Sequence, residues 1–372
     1  MSDENNIFAY NVVGAKSSGA RFYRLLSAEI NCSSKANLQD SKVVLFNIYT
    51  PLRKLIAARL SGKKVFLRVD GLWNDKLNSY FLENMNWFWQ PIFGLLGKIP
   101  LASVPLNHLA NLIFDNYKAF IKIFIANGLV YQSQFSRTLH EVYIRKKHKT
   151  VILNGAPWMG GSLSSVEFPR FEKELRFCII YSSAPLKGIY ESVKFVEWLN
   201  NEKNVRAKLI VIGFDWTAPP SSPDDFLESM QGNEHIELLD AFDEFGDQQK
   251  GAIQSSHFYL CLSRADNCPN ALVEAMSYGL PVLGLRSGGV SEIVGSAGVL
   301  LPFDDFDNGF FFGSRYEFLI MAVPFDELFE GLKKLIENYE FYLDQVAERF
   351  SSDLDIKIVS QRYRQFLETF LS

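Results

Sequence analysis

Between Ser263 and Gly289 the chain reads SRADNCPNALVEAMSYGLPVLGLRSGG, an apolar stretch that nevertheless spends carboxylates, asparagines and glycines on a turn. Asp266 and Glu274 bracket seven intervening residues. Where a turn runs into a helix, the first N–H groups have no intrahelical acceptor and the positive end of the helix dipole is exposed, which suits a phosphate. The dipole alone contributes about 0.3–1 kcal/mol, and up to about 2 in a partly buried site. Pro269 fits the first helical turn because its missing N–H would have had no partner there, so the phosphate-facing groups lie near Asn270. Glu274 falls about one turn further on. A carboxylate accepts from two hydroxyls at once, which is what the vicinal diol of a ribose offers. Each acid also has an ordinary reading, Asp266 as a helix N-cap and Glu274 as a solvated helix residue. The two together point to a nucleotide-like ligand.

Such a turn has to be carried by a strand. HFYLCLS precedes it and PVLGL follows, and the second half repeats the pattern: LRFCIIYSS, AKLIVIGF and IELLDAF are short apolar runs, while IYESVKFVEWLNN, EFGDQQKGAIQSS and NALVEAMSYG have helical spacing. The first half does the same with NIFAYNVV, KVVLFNIY, KKVFLRVDG, GLVYQS and KTVILNG, with helical ARFYRLLSAEI after the first. Continuous apolar runs alternating with amphipathic segments predict two doubly wound, Rossmann-like α/β units, each a parallel sheet covered on both faces. Ligands of such sheets collect at the carboxyl ends of the strands. GAPWMGGSLSSVEFPRFEKE has glycine, serine and proline without periodicity and reads as a linker. The expected organisation is a first domain over 1–170, a second over 171–355 and a terminal helix over 356–372 that returns to the first domain. FDELFEGLKKLIENYEFYLDQVAERF reads as helical, and the aromatic FDDFDNGFFFGSRYEFLIMAVPF as a loop packed on the second domain.

The 372 residues, 48% hydrophobic and 22% charged, suit two globular domains and argue against disorder. The four cysteines form no CxxC and read as reduced thiols of a cytoplasmic protein; the five histidines show no ligand spacing, so no metal is expected. The opening MSDENNIFAY lacks a basic region followed by an apolar one, so no export signal is expected. The most lipophilic tract, 84–130, is broken by charges. Its longest charge-free piece, IPLASVPLNHLANLIF, holds two prolines and is shorter than the roughly 20 residues of a bilayer span. Trp87, Phe88, Trp89 and Phe93 within it suit either interior packing or a membrane interface. Charge is uneven: the first 170 residues carry 21 Lys/Arg against 10 Asp/Glu, the remainder 17 against 32. A basic half suits an anionic partner, and without a nucleic-acid-binding motif the expected partner is a phospholipid surface or a pyrophosphate-linked lipid, not nucleic acid.

SRADNCPNALVEAMSYGLPVLGLRSGGVSEIV resembles the donor-site motif of the family 4 retaining glycosyltransferases of the GT-B fold. In that motif two acids separated by seven residues precede an EAMxxGxPV helix and a GGxxEIV turn. Echoes in family order extend the resemblance along most of the chain: SSGARF at 17–22, YQSQFS at 131–136, VILNG at 151–155, LKG at 186–188 and VIG at 211–213. The resemblance implies a metal-independent, two-domain enzyme without a cofactor. Its second domain would hold a nucleotide-sugar donor and its first a glycan or polyprenyl-diphosphate-linked glycan acceptor, in cell-surface polysaccharide assembly at the cytoplasmic side of a membrane. Lys187 would pair with the donor diphosphate, Asp266 with hydroxyls of the transferred sugar, and Glu274 with the ribose. Asn270, Gly288 and Gly289 would line the donor site. Gly19 and Arg68 would lie on the acceptor or phosphate side.

Three positions depart from the family pattern. The arginine usual five residues before the lysine is Ser182, removing half of the diphosphate clamp, and Arg264 is the candidate electrostatic substitute. The first acid is Asp where Glu is commoner. Asp70 stands where relatives carry a histidine near the reacting sugar; it positions hydroxyls, acts as a base, or merely forms the turn before Gly71. These departures support an alternative reading, a catalytically silent relative that binds nucleotide-sugar or glycan as a partner subunit. A Rossmann dehydrogenase is disfavoured because neither domain opens with GxGxxG.

Overall fold

The structure is a computed structural model, and it describes residues 6–10, 18–34, 37–69, 115–141, 144–160, 170, 172–181, 187–215, 230–240, 246–303 and 323–371. Asp70 and Ser182, the aromatic tract 87–93 and the aromatic stretch 304–322 lie outside them. The chain forms two compact units. The first takes the chain up to Ile152 and again from Ser360; the second takes Leu153–Phe303 and the return up to Val359.

In the first unit, β1 (Ile7–Ala9), β2 (Val43–Asn47), β3 (Lys64–Val69), β4 (Gly128–Tyr131) and β5 (His148–Val151) form a parallel sheet in that order. The helices α1 (Ser18–Ser34), α2 (Leu52–Leu60), α3 (Asp115–Ile125) and α4 (Gln134–Glu141) fall between the strands. Because β2 and β3 are apolar at almost every position, both faces of the sheet are buried. Asn31 of α1 meets β1 as another strand would, its Oδ1 accepting from Ala9 N–H at 2.8 Å and its Nδ2 donating to Ala9 C=O at 3.0 Å. The residues from Ser360 close this unit: Phe366 and Phe370 pack on Phe66, and Phe370 also on His148.

The second sheet contains β6 (Leu175–Ile180), β7 (Ala207–Phe214), β8 (Ile236–Asp240), β9 (Phe258–Cys261), β10 (Val282–Arg286) and β11 (Gly298–Pro302), all parallel, in the order β11-β10-β9-β6-β7-β8. The period-2 alternation of its strands is directly visible in the packing. Phe177, Leu209, Val211 and Leu260 enter one core with α5 (Ile189–Glu202) and α9 (Phe325–Glu337). Their neighbours Cys178, Ile210, Ile212 and Tyr259 enter the other, with α6 (Asp247–Gln254), α7 (Asn270–Met276), α8 (Val290–Val294) and α10 (Tyr339–Arg349). Both faces are covered, which is why these strands read as unbroken apolar runs.

Three features were not in the sequence reading. The helical stretch over 325–350 is divided at Asn338, whose backbone leaves the helical region and whose Nδ2 donates to Lys334 C=O at 3.0 Å. The break turns Tyr339 inward, where its hydroxyl donates to His257 C=O at 3.2 Å. The chain beyond Gly289 adds a short helix, α8, and an edge strand, β11, that periodicity did not reveal. The start of the glycine-rich segment read as linker is ordered on the second unit. Ala156 exchanges backbone hydrogen bonds with Leu354 and Ile356, at 3.0 Å each, and Trp158 packs on Phe350.

Candidate functional site

In the second sheet the strand order runs outward from β6 through β7 to β8 on one side and from β9 through β10 to β11 on the other. The reversal lies between β6 and β9, and a doubly wound sheet opens a crevice at the carboxyl ends of its strands at such a point. The chain leaving β6 there carries Lys187 and Gly188. The chain leaving β9 carries Arg264, Ala265 and Asp266, and the chain leaving β10 carries Ser287, Gly288 and Gly289.

The structure joins these three loops closely. Lys187 Nζ forms an ion pair with Asp266 Oδ2, linking two residues 79 positions apart in sequence. The Lys187 side chain is more than a third exposed and that of Asp266 about one-eighth, so the pair borders solvent and its charges remain accessible. Gly188 takes φ +71°, and a Cβ there would lie 2.4 Å from Leu262 C=O. Gly288 takes φ +59°, and its Cβ would lie 2.2 Å from the carbonyl oxygen of Asp266. A side chain at either position would force two loops apart and strain the backbone as well. Gly289 N–H donates to Asp266 C=O at 2.7 Å, and Ser287 Oγ accepts from Ala265 N–H at 2.7 Å. Ala265 is held at φ +49°, an uncommon region for a residue with a Cβ. Asp266 is thus fixed by its backbone as well as by its side chain, whose Oδ1 accepts from Cys268 N–H at 3.3 Å.

α7 starts directly after this loop. Pro269 is its N-cap residue, its C=O accepting from Leu272 and Val273 N–H, and no side chain caps the helix. The amide of Asn270 is oriented from outside the helix. Buried Asn154 donates from Nδ2 to Asn270 Oδ1 at 2.8 Å and to Cys268 C=O at 3.5 Å, which leaves the Nδ2 donors of Asn270 facing elsewhere. Glu274 is half-buried one turn along, close enough to two buried phenols that its charge adds to the rise that burial produces in the pKa of Tyr259 and Tyr278.

Arg264 takes a place different from the one expected of a diphosphate ligand. Its side chain is 1% exposed, donates from Nη1 to Glu191 Oε1 at 2.7 Å and lies over the ring of Phe303. Glu191 belongs to the first turn of α5, where a carboxylate is favoured by the helix dipole. The ion pair therefore ties the β9 loop to α5, and the guanidinium reaches inward. In the first unit, Arg68 is likewise buried, at the end of β3 with its guanidinium 4.7 Å from the centre of the Phe22 ring, and Gly19 is the second residue of α1. The sequence reading missed Asn154, Glu191 and Ser287. VILNG was noticed as an echo without a role for its asparagine, and nothing local to Glu191 or Ser287 reveals a partner 73 or 22 residues away.

Residues 178–311 match the family model of the group 1 glycosyl transferases. No curated protein matches the chain. Among solved structures, the chain is similar to the pneumococcal O-GlcNAc transferase GtfA, determined with UDP and GlcNAc, at a TM-score of 0.56 and 13% identity over 88% of this chain. It spans 56% of that protein's length. It is also similar to Anabaena Alr3699/HepE, determined with UDP-glucose, at a TM-score of 0.57 and 12% identity over 98% of this chain and 100% of that one. A third is the sucrose-phosphate synthase of Thermosynechococcus elongatus, at a TM-score of 0.56 and 10% identity over 95% and 79%. At such identities the likeness is one of fold, and the family match rests on the segment carrying Lys187, Asp266 and Glu274. The segment that builds this site thus matches the group 1 glycosyl transferases, and the chain shares with these solved structures a fold of two parallel α/β sheets.

Proposed function

We propose that this protein is a retaining glycosyltransferase that moves a sugar from a nucleotide-sugar to a glycan or lipid-linked glycan acceptor, in cell-surface polysaccharide assembly at the cytoplasmic face of a membrane. The observation that carries the reading is the Lys187–Asp266 ion pair at the reversal of strand order, with Glu274 one turn into the adjoining helix. Two structural neighbours were determined with UDP or UDP-glucose, which makes UDP-sugars the first donors to try.

In this reading the diphosphate enters between Lys187 and the start of α7. Lys187 exchanges Asp266 for phosphate oxygens, and the released carboxylate accepts from hydroxyls of the sugar. Departure of the nucleoside diphosphate puts positive charge on the anomeric carbon and negative charge on the leaving oxygen. A lysine already positioned there lowers the barrier, each tenfold in rate requiring about 1.4 kcal/mol of selective stabilisation. The acceptor hydroxyl attacks the face the diphosphate leaves, its proton passing to a diphosphate oxygen. Glu274 holds the ribose and Asn270 donates to a phosphate.

Lys187→Ala and Glu274→Ala are each expected to lower sugar transfer by about a hundredfold or more while leaving the circular dichroism spectrum and melting temperature near wild type. Wild-type turnover in both variants rules the assignment out. The silent-subunit reading, which Ser182 and Asp70 favour, predicts nucleotide-sugar binding without transfer or donor hydrolysis by the purified wild-type protein. Titration of UDP-sugar followed by detection of released UDP separates the two.

A further inference from the structure

The excess of cations in the first unit becomes a particular surface once α2 and α3 are in place. α2 buries Leu55 and Ala58, and the same helix leaves Ile56 and Leu60 in solvent, one turn apart. On α3, which packs beside it, Ile121 and Phe124 are exposed too. Leu60 is 84% exposed and Phe124 77%. Large apolar side chains standing this far out, four of them on two adjacent helices, mark a contact surface.

Cations surround these groups. Arg59, next to Leu60, donates to Asn127 Oδ1 at 2.9 Å. Lys146 donates to Phe124 C=O at 2.8 Å, its ammonium 5.6 Å from the centre of that ring. Burial, and after it the charge of Arg59, pushes the pKa of Lys146 down, so the two cations are near enough to repel. Arg53 on α2, Lys64 at the start of β3, and Arg145 and Lys147 between α4 and β5 are exposed as well. The sequences 52–64, 119–127 and 144–150 contain no Asp or Glu. Glu141, the nearest acid along the chain, spends its carboxylate on Arg137 and Lys149.

We propose that this face of α2 and α3 seats on an anionic lipid bilayer, Leu60 and Phe124 entering the interfacial layer while Arg59, Lys146 and their neighbours meet lipid phosphates. Protruding apolar side chains ringed by cations suit that layer, whose depth takes the first and whose phosphates take the second. Crowded like charges on long side chains are relieved by a dense sheet of anions without any fixed geometry, whereas a protein partner would need carboxylates at set positions. No helix among the described residues is long and apolar enough to cross a membrane; the contact proposed is a peripheral one. It deepens the lipid-linked acceptor reading and rests on it for its purpose, not for its geometry.

Flotation of the full chain tests it, using phosphatidylcholine vesicles with and without roughly 30% phosphatidylglycerol. The expected result is flotation with the anionic vesicles, about tenfold less with neutral ones, and release at about 0.5 M salt, where the screening length falls to a few ångströms. Leu60→Ser with Phe124→Ser, and separately Arg59→Gln with Lys146→Gln, should each lower anionic flotation about fivefold or more. The circular dichroism spectrum and donor turnover should stay at wild-type values. Equal flotation with both vesicle types, or flotation unaffected by the Leu60/Phe124 pair of changes, overturns the proposal. A lipid-independent dimer that those two changes abolish assigns the face to a second copy of the chain and overturns it as well. Because flotation needs no nucleotide-sugar, loss of vesicle binding with turnover intact removes only this surface, and vesicle binding without turnover removes only the catalytic reading.

Discussion

At the scale of single residues, the site consists of side chains that constrain one another. Asp266 is held by Lys187, by Cys268 N–H and through its carbonyl by Gly289. The carboxamide of Asn270 is oriented by Asn154. Asn154 is fully buried, and a hydrogen bond of this kind contributes about 1 kcal/mol while removal of one partner costs more. On the proposed function, in which the amide it orients serves binding, Asn154→Ala should raise the donor KM about tenfold with a smaller change in kcat; a fall in kcat alone would speak against that positioning role. His140 shows how burial acts on a single group in the first unit. Its Nδ1 donates to Ser136 C=O at 2.7 Å, its ring lies against Tyr131, and burial pushes its pKa down from 6.5 to about 4. The unfolded chain then binds the proton more tightly, so the stability this ring contributes is complete above pH 6.5 and falls as the pH drops towards 4. The loss sums to about 3 kcal/mol. Urea midpoints across that range should show the decline, and His140→Gln, weaker throughout, should show a shallower slope.

At the scale of elements, the candidate site of the second unit is built by three strand-to-helix loops that approach within backbone contact. Gly188 and Gly288 permit this, each in the left-handed region with another loop's backbone where a Cβ would lie. Gly288→Ala should separate the β9 and β10 loops and lower transfer by about a hundredfold, with a cost of about 1–3 kcal/mol in stability. Activity and thermal melts measured together check this, and a near-normal rate would mean the loops tolerate the separation. The local structure around Asp266 and Glu274 was legible because it is set by near neighbours: strand, turn, proline and helix follow one another within a short stretch. The surroundings of Arg264 were not legible, for the opposite reason. Its partner Glu191 lies 73 residues away on α5, and one sequence does not say whether an arginine beside a candidate site faces a ligand or the interior. The break at Asn338 escaped the periodicity because the apolar residues on either side stay close to helical spacing, while the cause, a cap on Lys334 and burial of Tyr339, is tertiary.

At the scale of the whole molecule, the chain builds its second unit and then returns to finish its first. Phe366 and Phe370 cover Phe66 of β3, which is fully buried. Truncation after Val359 should cost the first unit on the order of 3–5 kcal/mol for each aromatic lost from a core, while the second unit keeps its fold. Calorimetry should show the first unit melting earlier and the second near its original temperature; an unchanged profile would mean the terminal aromatics do not support β3. The sequence by itself determined the class of architecture, two parallel α/β units, and the strand-turn-helix segment around Asp266 and Glu274, because strand and helix periods and turn chemistry are set by near neighbours along the chain. The tertiary structure alone decided which arginine is spent inside, which asparagine orients the start of α7, that Lys187 meets Asp266, and that Lys146 stands against Phe124 and close to Arg59. Each of these depends on segments tens of residues apart being brought within a few ångströms, and it is sheet order and packing, not local propensity, that determine which segments meet.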